Sequence, residues 1–125
     1  MSDSALPEDR VAIVGTRDWS DITLVEFYVL NLPLTSIVVS GHGGIVDLTA
    51  EEIAVARGMQ VKIFPADWKL YKRAAGPIRN SQIVNYCTRL VAFWDGVSSG
   101  TKDAISKAEV SNKLEFVFKQ EKSFK

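Results

Sequence analysis

Three short apolar runs in this chain each end in a turn of glycine and small polar residues: Gly15-Thr16-Arg17, Ser40-Gly41-His42-Gly43-Gly44, and Asp95-Gly96-Val97-Ser98-Ser99-Gly100-Thr101. A helix-like segment follows each turn. A continuously apolar run reads as a strand covered on both faces. A glycine turn between strand and helix brings backbone N–H groups close to an anion at the positive end of the helix dipole. The repetition constrains both the fold, a βαβ succession, and the chemistry, a phosphate site.

Five runs rich in β-branched or aromatic residues predict strands at 11–14, 37–39, 61–64, 90–94 and 114–118. Between them, Ile22, Val25, Val29 and Leu32 make a helical stripe that stops before Pro33, with Asp18, Ser20 or Asp21 as its cap. A second helix carries Ile53 to Ala56 and ends at Gly58. It starts either at a capping box, Thr49-Ala50-Glu51-Glu52, or a turn earlier at Asp47. Further helices are expected over 77–86 and from Gly100 or Thr101 to Val110. The stretch from Pro65 to Gly76 is the longest irregular segment expected. Asp67, Trp68 and Tyr71 within it form either a lid or a cover for the end of the sheet.

Right-handed crossovers make the simplest arrangement a single three-layer α/β Rossmann-like domain, mainly parallel and five-stranded, with strand order 3-2-1-4-5. Helices following strands one and four then leave toward opposite faces. A crevice opens at the C-terminal ends of the strands, and two of the three glycine turns sit in it.

The chain has 125 residues, enough for one core. Its 15 Lys and Arg balance 15 Asp and Glu, which argues against a broad basic face and makes nucleic acid an unlikely partner. Residues 1–9 are polar, acidic and free of a signal-peptide pattern, so they read as a flexible arm ahead of a domain at 10–125. No apolar stretch reaches the roughly 20 residues of a membrane helix. Cys87 is the only cysteine and lies in an apolar-periodic stretch, which fits a packing role and a cytoplasmic setting. With one cysteine and one histidine, His42, no metal site is expected, and no cofactor motif is present.

The crevice has two candidate cations, Arg17 after strand one and Arg79 at the start of the third helix, each equally readable as a surface ion pair. Asn80 is either an amide contact to a ribose or base or a turn cap. Asp47 and Asp95 stand at strand ends, where a carboxylate can hold a ribose or support cleavage of an N-glycosidic bond, or else cap a helix and close a turn. Ser98, Ser99 and Thr101 offer hydroxyls to a phosphate at a helix start, and capping uses the same groups. His42 in its glycine loop reads more readily as a solvated residue than as a base-stacking one.

Taken in order, Ile13-Val14-Gly15-Thr16-Arg17, Ser40-Gly41 with Val46-Asp47, Phe64-Pro65-Ala66-Asp67-Trp68, Gly76-Pro77-Ile78-Arg79-Asn80, and Ala92-Phe93-Trp94-Asp95-Gly96 with Ser98, Gly100 and Thr101 resemble a known pattern. It is that of the YspA-like branch of the SLOG superfamily, Rossmann-like nucleotide-binding proteins that also include Lonely-guy phosphoribohydrolases, DNA-processing protein A relatives and ADP-ribose sensors. The resemblance implies a nucleotide-like ligand, adds weight to Arg79, and suggests a homodimer or higher homo-oligomer. Two positions depart from it. The arginine usual in the second loop is Gly44 here, followed by Ile45 in place of glycine, and the hydrolase glutamate is Ala104, with Asp103 one residue away.

The function expected from the sequence is binding of a phosphorylated ribonucleoside or ADP-ribose-type nucleotide at the strand ends, as sensor or sequestering protein. A nucleotide N-glycosidase using Asp47 or Asp95 is the alternative. A DNA-associated module is a third reading, set against the neutral charge.

Overall fold

The computed structural model describes residues 8–120. Within them, five parallel strands, β1 (Arg10–Gly15), β2 (Ile37–Ser40), β3 (Gln60–Ile63), β4 (Arg89–Trp94) and β5 (Leu114–Lys119), form one sheet in the order β3-β2-β1-β4-β5. The predicted order and α/β class hold. The arrangement is a single Rossmann-like domain whose strand order switches direction between β1 and β4, which pair in parallel from Val11–Arg89 to Gly15–Phe93.

Alternation along the central strands divides the core in two. Val11, Ile13, Val38, Val91 and Phe93 face α1 (Ile22–Leu30) and α2 (Ile45–Ala56), where Trp19, Val25, Val29, Val46 and Ala50 complete one layer. Ala12, Val14, Val39, Leu90 and Ala92 face α4 (Ala75–Tyr86) and α5 (Ser99–Val110), where Ile83, Val84, Cys87, Ala104 and Ile105 complete the other. Cys87 is fully buried and burial pushes its thiol pKa up, the behaviour of a packing residue.

Local chemistry sets the helix ends. Asp21 caps α1, its Oδ1 accepting from the Leu24 N–H at 3.1 Å, and Asn31 closes it with Nδ2 on the Phe27 carbonyl at 2.7 Å. Gly58, at φ +77°, lets the Met59 N–H reach the Ala54 carbonyl at 2.9 Å and ends α2. Two expectations fail here. The start of α2 is Ile45 with Gly44 at the cap, so Thr49 lies in the second turn and forms no capping box. The stretch 65–76 is also not irregular. Asp67 caps a one-turn helix, α3 (Trp68–Tyr71), by accepting from the Leu70 N–H at 3.0 Å, a 3-10 turn covers Lys72–Ala74, and α4 begins at once. An aspartate three residues before a backbone amide makes a cap even where no hydrophobic period announces a helix.

Of the segment 1–9 expected as a flexible arm, 1–7 lie outside the described residues. Asp9 is fastened: its carboxylate takes both Arg89 Nε and Nη2 at 2.9 Å and Ser36 Oγ at 2.6 Å, and Arg89 holds its pKa below the usual carboxylate value. No helix among the described residues is long and apolar enough to cross a membrane.

The tightest approach in the sheet–helix interface is at Gly15. A Cβ there would stand 2.5–2.8 Å from the three side-chain carbons of Val46, which is itself fully buried. Gly15→Ala is therefore expected to lower unfolding free energy by about 1–3 kcal/mol through overpacking. Gly100→Ala, where a Cβ meets nothing within 4 Å in the first turn of α5, should be neutral or slightly stabilising. Urea denaturation of the two variants checks the contrast, and equal effects would contradict it.

Candidate functional site

A crevice of about 390 Å³ lies at the C-terminal ends of β1, β2 and β4. Its walls are Gly15 and Arg17 from the first turn, Gly41, Gly43 and Gly44 from the second, Asp47 from α2, Arg79, Asn80 and Ile83 from α4, and Ser98 to Thr101 with Ala104 from α5. The predicted convergence of the glycine turns is thus observed, and α4 contributes a fourth wall.

The second loop is held by its own side chains. Ser40, fully buried, donates Oγ to Glu51 Oε2 at 2.6 Å, and His42, at φ +56°, places Nδ1 2.8 Å from Glu51 Oε1. His42 is accordingly fixed to α2 rather than directed into the crevice. The Gly43 N–H donates to Asp47 Oδ2 at 2.8 Å, an acidic side chain in the first turn of α2 reaching back to the residue before the cap. Arg79 Nη1 donates to the Gly41 carbonyl at 2.6 Å. Gly41 permits this: a Cβ there would lie 2.5 Å from that nitrogen. At Gly44, where the resemblance places an arginine, a Cβ would lie 3.1 Å from the Arg17 backbone, a tight approach.

Among the described residues, neither Arg17 nor Arg79 has a carboxylate within 4 Å. Neither of the surface ion pairs weighed from sequence forms. Arg79 is half-buried, and desolvation lowers its pKa while the neighbouring Asp47 opposes that shift. An arginine in this condition carries charge into the crevice with donors left for an incoming anion.

Asn80 has a bracing role. Its Nδ2 donates to the Gly100 carbonyl and to Asp103 Oδ2, both at 3.1 Å, and its Oδ1 accepts from Arg79 Nε at 3.1 Å. It therefore ties α4 to α5 while steadying Arg79. Asp103 also pairs with Lys107 at 2.9 Å, and the neighbouring Ala104 is a buried wall residue.

The third turn is built around Asp95. Oδ1 accepts from the Val97 and Ser98 N–H groups at 2.8 and 2.7 Å, and Oδ2 from Ser98 Oγ at 2.9 Å. Those bonds bring its pKa down to about 2. The Asp95 N–H donates to buried Thr16 Oγ1 at 3.0 Å, which locks the first turn to the third. Gly96, at φ +84°, completes the bend. Ser98 is the cap residue of α5, yet its hydroxyl is spent on Asp95, leaving the first amides of α5 uncapped by a side chain at the crevice wall.

Asp67, Trp68 and Tyr71 are not among the crevice walls. Asp67 is a cap, and Trp68 and Tyr71 are 53% and 43% exposed on α3, with the Trp68 ring tip 3.5 Å from where a Gly76 Cβ would be. Sequence reading overlooked Glu51. Its glutamate sits in an otherwise ordinary helical pattern, and only the fold brings it under Ser40 and His42.

Asp47 is the buried acid of the crevice wall, 8% exposed, and desolvation pushes its pKa up to about 6 despite the Gly43 amide and Arg79. The folded state thus binds this proton more tightly than the unfolded chain. Stability is lost as pH rises from about 4 to about 6, the window between the unfolded and folded values. Asp47→Asn should raise stability at pH 7.5 by on the order of 1–3 kcal/mol, with the gain shrinking toward zero below about pH 4. Denaturant titrations across pH 4 to 8 check the sign, and a gain independent of pH would overturn it.

The fold and site define a doubly wound α/β domain with an arginine-lined crevice at its switch point. Two solved structures share that fold. DNA processing protein A from Streptococcus pneumoniae superposes with a TM-score of 0.75 at 19% identity, over 94% of this chain and 52% of that one. DNA processing protein A from Helicobacter pylori, solved for its single-stranded DNA binding mode, gives 0.63 at 20% identity, over 86% of this chain and 64% of that one. The chain therefore spans about half to two-thirds of the length of these proteins, whose Rossmann-like fold is of the kind the SLOG resemblance implies. No protein-family model matches the chain, and no curated protein matches it in sequence.

These neighbours overturn the expected ligand and partner. The sequence predicts a phosphorylated ribonucleoside or ADP-ribose-type nucleotide and argues against nucleic acid, whereas both proteins sharing this fold are DNA processing protein A, one of them solved for its single-stranded DNA binding mode. Net charge averages over the whole surface, while a strand touches a narrow strip of it, so a neutral total does not by itself exclude such a partner. Homo-oligomerisation, expected from the resemblance, finds no support in the comparison.

Proposed function

We propose that this domain binds single-stranded DNA, with a backbone phosphate held in the strand-end crevice, and that it belongs to the YspA-like branch of SLOG proteins on the strength of its ordered motifs. The observation that carries the reading is the pair Arg17 and Arg79, two cations without carboxylate partners among the described residues, facing the uncapped amides of α5 across the crevice. Arginine forks and helix-start amides are the donors that phosphate oxygens take. The shared fold with DNA processing protein A supports DNA as the source of the phosphate.

Size supports a single strand over a duplex. A crevice of 390 Å³ suits one nucleotide unit, and a single strand can feed its backbone into it where a rigid double helix cannot. A cytoplasmic location belongs to the same proposal, supported by the lone, buried and unbridged Cys87.

Fluorescence anisotropy with an end-labelled thymidine oligonucleotide tests the function. Saturable binding is expected at low salt, weakening linearly in log–log form with a slope of about −0.7 for each phosphate neutralised. Arg79→Ala should weaken binding and make that slope shallower by about 0.7. No saturable binding at low salt, or an Arg79→Ala protein that binds with wild-type affinity and salt slope, would overturn the proposal.

A further inference from the structure

The segment between β3 and α4 reads Trp68-Lys69-Leu70-Tyr71-Lys72-Arg73, aromatic and cationic side chains interleaved within six residues. Folding does not bury it. Trp68 is 53% exposed, and Leu70 and Tyr71 are also exposed, in a domain whose other two tryptophans are taken up by the structure. Trp19 is buried against Phe93, and Trp94 donates its indole N–H to the Ser98 carbonyl at 3.0 Å. Exposing an indole forgoes one of the largest apolar burials a side chain offers, so a solvent-facing tryptophan against the start of a crevice-lining helix points to a partner for its face.

Three further observations specify the partner. First, none of Lys69, Lys72 and Arg73 has a carboxylate within 4 Å among the described residues, so the segment is a local concentration of positive charge in a chain of zero net charge. Second, the Trp68 ring tip lies over Gly76 at the start of α4, and Arg79 follows three residues later on the same helix. Gly76 and Arg79 are about 4.5 Å apart along the helix axis, so the exposed indole and the crevice cation attach to the same first turn of α4. Third, Lys72 at φ +55° turns the chain sharply between α3 and the 3-10 turn, which gathers aromatic and basic residues into one compact knob. Cations that follow a backbone, with aromatic faces between them, are the recognition chemistry of unpaired nucleic acid. Every base has a π-face, and a duplex keeps its faces hidden.

Resting on the single-strand reading above, we propose that Trp68, with Tyr71 beside it, is a base-stacking platform. A base next to the phosphate held by Arg79 stacks on the Trp68 indole, and Lys69, Lys72 and Arg73 carry the adjoining backbone. The segment is thereby a second contact zone outside the crevice, and it reads bases as flat faces without regard to sequence.

The test compares wild type, Trp68→Ala, Trp68→Phe and Arg79→Ala, each binding a thymidine oligonucleotide and an abasic strand of equal length and charge. Wild-type tryptophan emission should be quenched by the thymidine strand. Trp68→Phe should keep affinity within about two-fold while losing most of the quenching, because phenylalanine still stacks. Trp68→Ala should bind the thymidine strand about ten-fold more weakly. Its affinity for the abasic strand should equal that of wild type, since the base that would stack is already gone. An equal loss on both strands, or wild-type affinity of Trp68→Ala for the thymidine strand, would overturn the platform. If Arg79→Ala still weakened binding in that case, the single-strand reading would survive without it. Failure of wild type to bind any strand would remove both. Should Trp68→Ala prove misfolded by circular dichroism, Trp68→Phe quenching and the abasic comparison on wild type decide the matter without it.

Discussion

The parallel pairing of β1 with β4 is the constraint on which the rest of this structure depends. Five consecutive residue pairs, Val11–Arg89 to Gly15–Phe93, join two strands that are nearly 80 residues apart. Every residue of β1 from Val11 to Val14 and of β4 from Leu90 to Phe93 is buried. Because α1 and α2 cover one face and α4 and α5 the other, the turns after β1 and β4 diverge at the strand ends. The crevice is the space they leave. The Thr16 hydroxyl, bonded to the Asp95 amide, fixes the separation of the two turns.

Glycine does two separate jobs around that crevice. At Gly15 the absence of a side chain lets α2 pack directly on β1, a matter of folding. At Gly41 it lets Arg79 lie across the loop and bond the backbone carbonyl, a matter of the site. The acids are likewise divided. Asp95 spends both oxygens on its own turn and is kept ionised, whereas Asp47 is buried beside Arg79 with its ionisation penalised. A phosphate entering the crevice meets arginine and amide donors with one reluctant carboxylate behind them.

Equal numbers of acids and bases in this chain do not fix which of them meet. Asp9, Glu115, Asp103 and Glu51 are matched in pairs or networks with Arg89, Lys107 and His42. Arg17, Arg79, Lys69, Lys72 and Arg73 are left without such partners among the described residues. A count of charges cannot see which cations are neutralised by neighbours. A neutral total therefore carries little weight for or against a nucleic-acid partner.

Strand order, helix number beyond one turn, and the meeting of the glycine turns were legible from the chain because they follow from local periodicity and from the handedness of crossovers. Val11–Val14 and Leu90–Trp94 announce buried strands, and Gly58 and Pro33 announce helix ends, without any long-range information. Tertiary structure decided what each polar side chain does. Asn80, readable as a ribose contact, became a brace between α4 and α5; His42 was drawn onto Glu51; and α3 formed where no period foretold it. Such roles depend on partners 9 to 23 residues away, at distances where one rotamer separates a hydrogen bond from none. The sequence alone determined that this chain would build a strand-end crevice with arginines at its rim. Only the folded chain decided that both of those arginines would lack a carboxylate partner among the described residues, because pairing is a matter of ångströms between residues that the sequence keeps apart.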